Sequence, residues 1–158
     1  VGHKLDYAHR AWIQPGHWLT SDMQKANEDA AALYESWKKD VQVEEYRLED
    51  AEVVLTAYGI SARICKSAVE LLRAQGVKAG LIRPITVHPF PYAAYDHIDY
   101  SKVKAVLDAE MSIPAQFVDD VAVAVKDRCL IETCLCSGGN IMSRDKVLAA
   151  VKKIMEGK

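Results

Sequence analysis

The residues best placed to do chemistry stand where short apolar runs end. Arg83 closes one run and precedes Pro84, which removes a backbone donor and keeps the residue before it extended. A guanidinium fixed in this way can bind a carboxylate of the protein or of a ligand. Glu110 closes a later run. We expect a buried ion pair between Arg83 and Glu110, or a contact from Arg83 to a partner domain, in preference to a substrate contact.

A glycine turn before a helical segment is the second candidate. Gly59 follows an apolar run, and Ser61 and Arg63 stand in the first turn of the segment after it. Helix N-terminal amides together with these two side chains could bind an anion. We prefer the simpler interpretation, in which Gly59 turns the chain, Ser61 caps the helix and Arg63 pairs with a nearby acid.

Other reactive side chains lack the spacing that catalysis or metal binding needs. Glu132 lies within a strand-like run, so it does not form an acid and base pair with Glu110. Cys134 and Cys136 have one residue between them, whereas metal-binding pairs usually have two or more, and alternate strand positions place both thiols on one face. No two histidines are four residues apart. We expect no catalytic residue, no metal site and four reduced thiols, at Cys65, Cys129, Cys134 and Cys136.

Composition excludes several classes of function. The chain has 158 residues, 50% of them hydrophobic, which suits one compact domain. Its 20 basic and 22 acidic residues give a net charge of -2, without the basic excess that binds nucleic acid. No apolar run approaches the roughly 18 residues that span a bilayer, and no signal peptide is recognisable. We expect a cytoplasmic protein without nucleic-acid or membrane partners and, since it begins with Val1, a piece of a longer polypeptide.

The first 43 residues differ in pattern from the remainder. Residues 1–20 show no sustained period. Ser21 followed by Gln24 has the spacing of a capping box, and apolar residues then recur at helical spacing, so we expect a helix over 21–39. Residues 1–43 are therefore interpreted as an irregular arm plus a helix, either the tail of a preceding domain or a linker.

Strand-like and helix-like segments alternate along the rest of the chain. Apolar runs of strand length are followed by segments of helical period, with glycine and proline between them. This alternation predicts parallel strands, right-handed helical crossovers and a three-layer α/β/α sandwich whose ligand side is the carboxyl edge of the strands. The predicted strands are 51–58, 77–82, 103–109 and 129–135, and the predicted helices are 60–75, a short turn at 92–98, and two segments opened by Pro114 and Ser143.

Several motifs together resemble one family. They are AYGISAR at 57–63, AGLIRPITVHPFP at 79–91, EMS at 110–112, QFVDDV at 116–121 and the pair Gly138-Gly139. The combination resembles domain II of the alpha chain of 2-oxoacid:ferredoxin oxidoreductases, in particular the 2-ketoisovalerate branch. The resemblance extends from about residue 45 to the last residue, and its strength lies in the order of the motifs rather than in any single one.

That resemblance implies a fold and a set of partners. The fold would be that of the transketolase C-terminal domain, a five-stranded, mostly parallel sheet over residues 44–158 whose one antiparallel strand is 44–48. The whole enzyme would use thiamine diphosphate, Mg, iron–sulfur clusters and coenzyme A to oxidise a 2-oxoacid and reduce ferredoxin. This chain would hold none of these cofactors and would be inactive alone, serving assembly and active-site framing among other domains and subunits. The candidate residues of a carboxyl-edge site or domain interface are Gly59, Ser61, Arg63, Arg83, Glu110 and Gln116.

Two other interpretations stay open. The first is the C-terminal domain of a non-oxidative thiamine enzyme, such as a transketolase or a dehydrogenase E1 component, because such domains share the architecture. The second is a stand-alone module, which would bind either an anion at the carboxyl edge or an interaction partner. The proline-rich segment 83–91 favours the oxidoreductase. A homo-oligomer is compatible with each interpretation.

Overall fold

The computed structural model describes residues 19–157 of the chain. The chain divides into two compact units between Lys39 and Asp40. The irregular arm expected over residues 1–20 lies almost wholly outside the described residues.

The N-terminal unit contains one described helix. α1 spans Thr20–Trp37 and is followed by a single 3-10 turn, Lys38–Asp40. The predicted helix is confirmed, but the predicted capping box is wrong, because Leu19 is the N-cap and no side chain caps the helix. Gln24 donates instead to Glu28, one turn later, at 2.8 Å. No side chain of α1 is buried.

The C-terminal unit is built on a five-stranded sheet. Its strands are β1 (Val43–Tyr46), β2 (Val53–Thr56), β3 (Ala79–Pro84), β4 (Ala105–Glu110) and β5 (Leu130–Leu135). The spatial order is β1-β3-β2-β4-β5. β1 is antiparallel to β3, and every other neighbouring pair is parallel. This arrangement confirms the expected mostly parallel sheet with one antiparallel strand.

The antiparallel strand lies slightly earlier than the predicted segment 44–48. It ends at Tyr46 because Arg47 has a φ of 54°, outside the strand region. The turn that follows passes close to β3, where a Cβ on Gly80 would lie 2.8 Å from the carbonyl oxygen of Arg47 and 2.9 Å from Leu48 Cδ2. Only glycine fits at this strand position without a shift of the turn.

Helices cover both faces of the sheet, which gives the three expected layers. α2 (Gly59–Ala74) and α4 (Arg144–Glu156) lie on one face, and α3 (Phe117–Val125) lies on the other with the 3-10 helix Tyr92–His97. Alternate strand residues supply the two cores. Burying each large apolar side chain stabilises the fold by about 1.5–3 kcal/mol. The core toward α2 and α4 includes Leu55, Leu81 and Leu107, and the core toward α3 includes Val54, Ile82 and Val106.

The parallel strands end together at one edge of the sheet. β2, β3, β4 and β5 point the same way, and their last residues are Thr56, Pro84, Glu110 and Leu135. All residues of β2 and β4 are buried, because both strands are flanked by strands and covered on both faces. A polar side chain at the end of either central strand therefore depends on the protein for its hydrogen-bond partners.

Two predicted helix boundaries in this unit are confirmed, the end of α2 near residue 75 and the start of α4 at Ser143. Gly76 has a φ of 86° just beyond the end of α2. Ser143 Oγ accepts a hydrogen bond from the backbone nitrogen of Lys146 at 3.2 Å and so caps α4. The helix expected to open at Pro114 begins three residues later, at Phe117. No helix within residues 19–157 is long and apolar enough to cross a membrane.

Candidate functional site

The carboxyl edge begins, at β2, with the turn into α2. Gly59 has a φ of 56°, which glycine adopts without strain, so the predicted turn is confirmed. The predicted cap is wrong, because Tyr58 is the N-cap, no side chain caps α2, and Ser61 is buried within the first turn. Arg63 is exposed, and no acid among residues 19–157 forms an ion pair with it. Anion binding at this turn stays a prediction.

Arg83 pairs with Glu44 and not with Glu110. β2 separates β3 from β4, so Arg83 and Glu110 are not on neighbouring strands. They also face opposite sides of the sheet, since Arg83 alternates in step with Leu81 and Glu110 with Val106. Arg83 Nη1 instead donates to Glu44 Oε2 at 3.0 Å, from a position directly opposite on β1. The predicted Arg83–Glu110 pair is wrong, although Arg83 does form a structural ion pair.

Glu44 is held by two cations. Lys66 of α2 donates to the second oxygen of the Glu44 carboxylate. This hydrogen bond is the largest cause that lowers the pKa of Glu44, partial burial opposes it, and the hydrogen bond from Arg83 adds to it. The Nε atom of Arg83 is buried without a hydrogen-bond partner. The network ties the edge strand β1 to β3 and to α2, which is a structural role.

Glu110 fixes the turn between β4 and α3. Its carboxyl group is 1% exposed and accepts hydrogen bonds from the backbone nitrogen of Gln116 at 2.6 Å and of Phe117 at 3.2 Å. Ser112 Oγ donates to it at 2.7 Å. The first amides of α3 are thus satisfied by a side chain from the preceding strand, which is why the helix begins at Phe117 and not at Pro114. Gln116 contributes its backbone, and the residue itself is exposed.

Asp108 is a buried carboxyl group that the sequence reasoning missed. It is 0% exposed, and neither carboxyl oxygen has a hydrogen-bond partner. Burial and, after it, the neighbouring Glu110 raise the pKa of Asp108 to about 8. A signal was present in the sequence, because an aspartate two residues before a glutamate in an apolar run places two carboxyl groups on one face of a buried strand.

A hydroxyl pair lies beside Asp108. Thr56 is the β2 residue directly opposite Asp108, and its Oγ1 is 2.5 Å from the hydroxyl oxygen of Tyr95. Both side chains are fully buried, and burial is the main cause that raises the pKa of Tyr95. Phe90, which lies in the proline-rich segment 83–91, stacks on Tyr95 with ring centroids 5.6 Å apart. These contacts connect the end of β2 to the 3-10 helix and to the proline-rich segment.

Exposed apolar side chains gather at the same edge. They follow the ends of β2, β4 and β5, and their exposed fractions lie between 38% and 64%. Single exposed apolar residues are ordinary, whereas a contiguous exposed apolar surface is typical of an interaction site. We name this set the edge patch, and its members are Tyr58, Ile60, Met111, Ile113 and Ile141.

Three of the four thiols are core residues. All four cysteines are free, and Cys65, Cys134 and Cys136 are buried. Burial raises the pKa of Cys65 to about 12, so this thiol is a poor nucleophile. Cys134 Sγ lies 3.6 Å from Met142 Sδ in the core beneath α4. In the part of the chain that the structure describes, no three histidine, cysteine or acidic residues are placed to hold a metal ion.

Comparison with known proteins identifies relatives. Residues 51–147 match the family described as pyruvate:ferredoxin oxidoreductase core domain II. The chain is 39% identical over 117 residues to ketoisovalerate oxidoreductase subunit VorB of Methanothermobacter marburgensis, across 74% of this chain and 32% of that subunit. It is 31% identical over 110 residues to 2-oxoglutarate synthase subunit KorA of the same organism, across 70% of this chain and 29% of that subunit. The chain thus spans about a third of the VorB subunit.

Two solved structures share the fold. The 2-oxoglutarate:ferredoxin oxidoreductase from Magnetococcus marinus with 2-oxoglutarate, coenzyme A and succinyl-CoA bound gives a TM-score of 0.71 at 19% identity, over 88% of this chain and 24% of that chain. A split-gene transketolase, described as an inactive beta4 tetramer, gives a TM-score of 0.58 at 19% identity, over 72% of this chain and 41% of that chain. These likenesses establish a transketolase-like fold alone. Because the family match covers more than half of the sequence, this chain belongs to the pyruvate:ferredoxin oxidoreductase core domain II family.

Proposed function

We propose that this chain is domain II of the alpha subunit of a 2-ketoisovalerate-type 2-oxoacid:ferredoxin oxidoreductase, in which it serves assembly and frames the active site. Family membership supports the domain, and the 39% identity to a ketoisovalerate oxidoreductase subunit supports the substrate class. In this proposal residues 44–158 are the domain proper, and residues 1–43 are the tail of a preceding domain or a linker.

The observation that carries the proposal is the edge patch. Large apolar side chains stand exposed beyond the ends of three parallel strands. The Glu110 contacts fix the turn that carries Met111 and Ile113. Ile60 stands in the first turn of α2, which begins at Gly59, three residues after the end of the buried β2 strand. An exposed apolar surface suits permanent contact with another domain, whereas it offers few polar groups to orient a small substrate.

The cofactors of the complex would be held by its other parts. Iron–sulfur clusters need a set of cysteine thiolates grouped around one site, and the described residues contain no group of three potential ligands. Burial raises the pKa of Cys134 as well as that of Cys65. We therefore assign thiamine diphosphate, Mg, iron–sulfur clusters and coenzyme A to other domains and subunits, and we expect the isolated chain to be inactive. Ferredoxin would be the electron acceptor of the complex, and the free thiols fit a cytoplasmic location.

A domain exchange tests this function. The segment of the Methanothermobacter marburgensis VorB subunit that aligns with this chain is replaced by residues 40–158, and the chimera is expressed with the other subunits of that enzyme. We expect it to assemble and to reduce a viologen dye when 2-ketoisovalerate, coenzyme A and thiamine diphosphate are supplied. The unmodified complex is the control. A chimera that assembles fully but reduces the dye with no 2-oxoacid would contradict the oxidoreductase assignment, and one that never assembles would contradict the assembly role.

A further inference from the structure

Two buried carboxyl groups lie next to each other at the end of β4. Asp108 and Glu110 are two residues apart on one strand, so they share the face covered by α3. Glu110 accepts hydrogen bonds from two backbone amides and one hydroxyl, whereas Asp108 receives none. Both residues are essentially inaccessible to water. An ionised Asp108 would be a buried charge without a donor, beside a second acid.

The surroundings supply no cation to either acid. Within residues 19–157, no lysine or arginine forms an ion pair with Asp108 or Glu110, and Lys126 and Arg128 at the end of α3 pair with Asp96. The hydroxyl groups of Thr56 and Tyr95 lie beside Asp108 on the face of the sheet that α3 covers. The polar or titratable groups around Asp108 come from every neighbouring element. They are Thr56 from β2, Tyr58 at the start of α2, Tyr95 from the 3-10 helix, Asp120 from α3 behind Tyr95, Thr133 from β5, and Cys65 and Cys134 on the other face of the sheet.

We propose that Asp108 carries a proton in the folded domain at neutral pH and that loss of this proton loosens the 111–116 turn. A neutral Asp108 removes the uncompensated charge, and its O–H group can turn toward an oxygen of Glu110. A second negative charge beside Glu110 would instead repel the carboxylate that holds the amides of Gln116 and Phe117. The raised pKa of Asp108, about 8, agrees with this geometry.

The proposed loss of the Asp108 proton would affect an exposed surface. The turn held by Glu110 carries Met111 and Ile113, which are members of the edge patch. A change in protonation at Asp108 would therefore alter how firmly this surface is presented to whatever it contacts. The inference depends only on contacts within the domain, so it holds or fails independently of the proposed enzyme.

The first test compares unfolding of the 158-residue chain with that of Asp108→Asn, which keeps this side chain neutral at every pH. An unfolded aspartate titrates near 3.8, whereas folded Asp108 titrates at about 8. Between these values the folded wild type binds a proton that the unfolded chain lacks, so its stability falls as pH rises. The unfolding constant of wild type relative to Asp108→Asn should rise about tenfold per pH unit, and level off above pH 8. A ratio that stays constant from pH 5 to 8 would overturn the proposal.

A control variant and a direct titration complete this test. Asp119→Asn makes the same change at an exposed position in the first turn of α3. The unfolding constant of wild type relative to Asp119→Asn should stay constant over the same pH range. If Asp108→Asn fails to fold, the side-chain carboxyl resonance of Asp108 in the wild type gives the answer by NMR. A midpoint near pH 8 supports the proposal, and a midpoint below pH 5 refutes it.

The second test measures the turn itself. Amide hydrogen exchange of Gln116 and Phe117 is compared at pH 7 and pH 9 between wild type and Asp108→Asn, so that the intrinsic pH dependence cancels. We expect similar protection at pH 7 and several-fold lower protection in the wild type at pH 9, with α2 amides unchanged. Equal protection of the two proteins at pH 9 would show that the proton does not control the turn.

Discussion

The carboxyl group of Glu110 lies 2.6 Å from the backbone nitrogen of Gln116 and thereby sets the residue at which α3 begins. Replacing Glu110 by alanine leaves these amides and Ser112 without their acceptor, so we expect a loss of about 3 kcal/mol in the free energy of unfolding. Glu110→Gln keeps one oxygen and should lose less. Urea unfolding checks both, with exposed Glu132→Gln as a control expected within about 0.5 kcal/mol of wild type. A Glu110→Ala domain as stable as the control would contradict this role.

The Thr56–Tyr95 hydroxyl pair gives a second prediction. Thr56→Val and Tyr95→Phe each leave a buried hydroxyl without a partner, and each should cost about 1–2 kcal/mol. The double variant should cost less than the sum, because no unpaired hydroxyl is then left. Tyr92→Phe removes an exposed hydroxyl contact to Asp120 and should change stability little. Strict additivity in thermal or urea unfolding would show that the two hydroxyls do not stabilise each other.

The Glu44 network predicts an acid dependence. Because its cationic partners lower the pKa of folded Glu44 below the usual 4.5, the network contributes stability that is present above pH 4.5 and is lost as pH falls through the folded pKa. Arg83→Ala should cost only about 1 kcal/mol at pH 7, since Lys66 remains on Glu44 and the pair is partly exposed. Arg83→Ala combined with Lys66→Ala should make the loss of stability between pH 5 and 3 less steep, while other carboxyl groups with lowered pKa values keep their part of it. An unchanged curve in the double variant would assign the acid dependence to other groups.

Gly80 provides a prediction about packing. Gly80→Ala would push a methyl group to 2.8 Å from the carbonyl oxygen of Arg47, a backbone atom that cannot rotate away. We expect a loss of about 3 kcal/mol. In Gly138→Ala the new Cβ meets no atom within 4 Å, so only the positive φ of 66° is penalised, at about 1 kcal/mol. Equal losses in the two variants would mean that the turn after β1 moves freely.

The layers and strand directions of the sheet could be predicted from sequence because burial dictates the apolar pattern. β2 and β4 are buried on both faces and therefore appear as continuous apolar runs. The spatial order of strands leaves no such pattern. β2 lies between β3 and β4, and this separation is what made the expected Arg83–Glu110 pair wrong.

Helix starts were predicted well only where the capping side chain is local. Ser143 caps α4 three residues away, as its position in the sequence indicates. The amides of α3 are held by Glu110, seven residues before Phe117, so the helix does not begin at Pro114. The environment of Asp108 could not be predicted for a related reason, because it is formed by Thr56 and Tyr95, which lie far from Asp108 in the sequence.

Two aspartate substitutions in the chimeric VorB subunit test whether the carboxyl edge is an assembly surface. Ile113→Asp at the edge patch is compared with Leu130→Asp at the opposite end of β5, two residues that are 62% and 59% exposed. Because the two positions are similarly exposed, we expect neither aspartate to impair folding. Circular dichroism of each isolated domain checks this expectation. We predict that Ile113→Asp abolishes both co-purification with the other subunits and dye reduction, whereas Leu130→Asp retains the co-purification and the dye reduction. Assembly that survives Ile113→Asp and fails with Leu130→Asp would contradict this prediction.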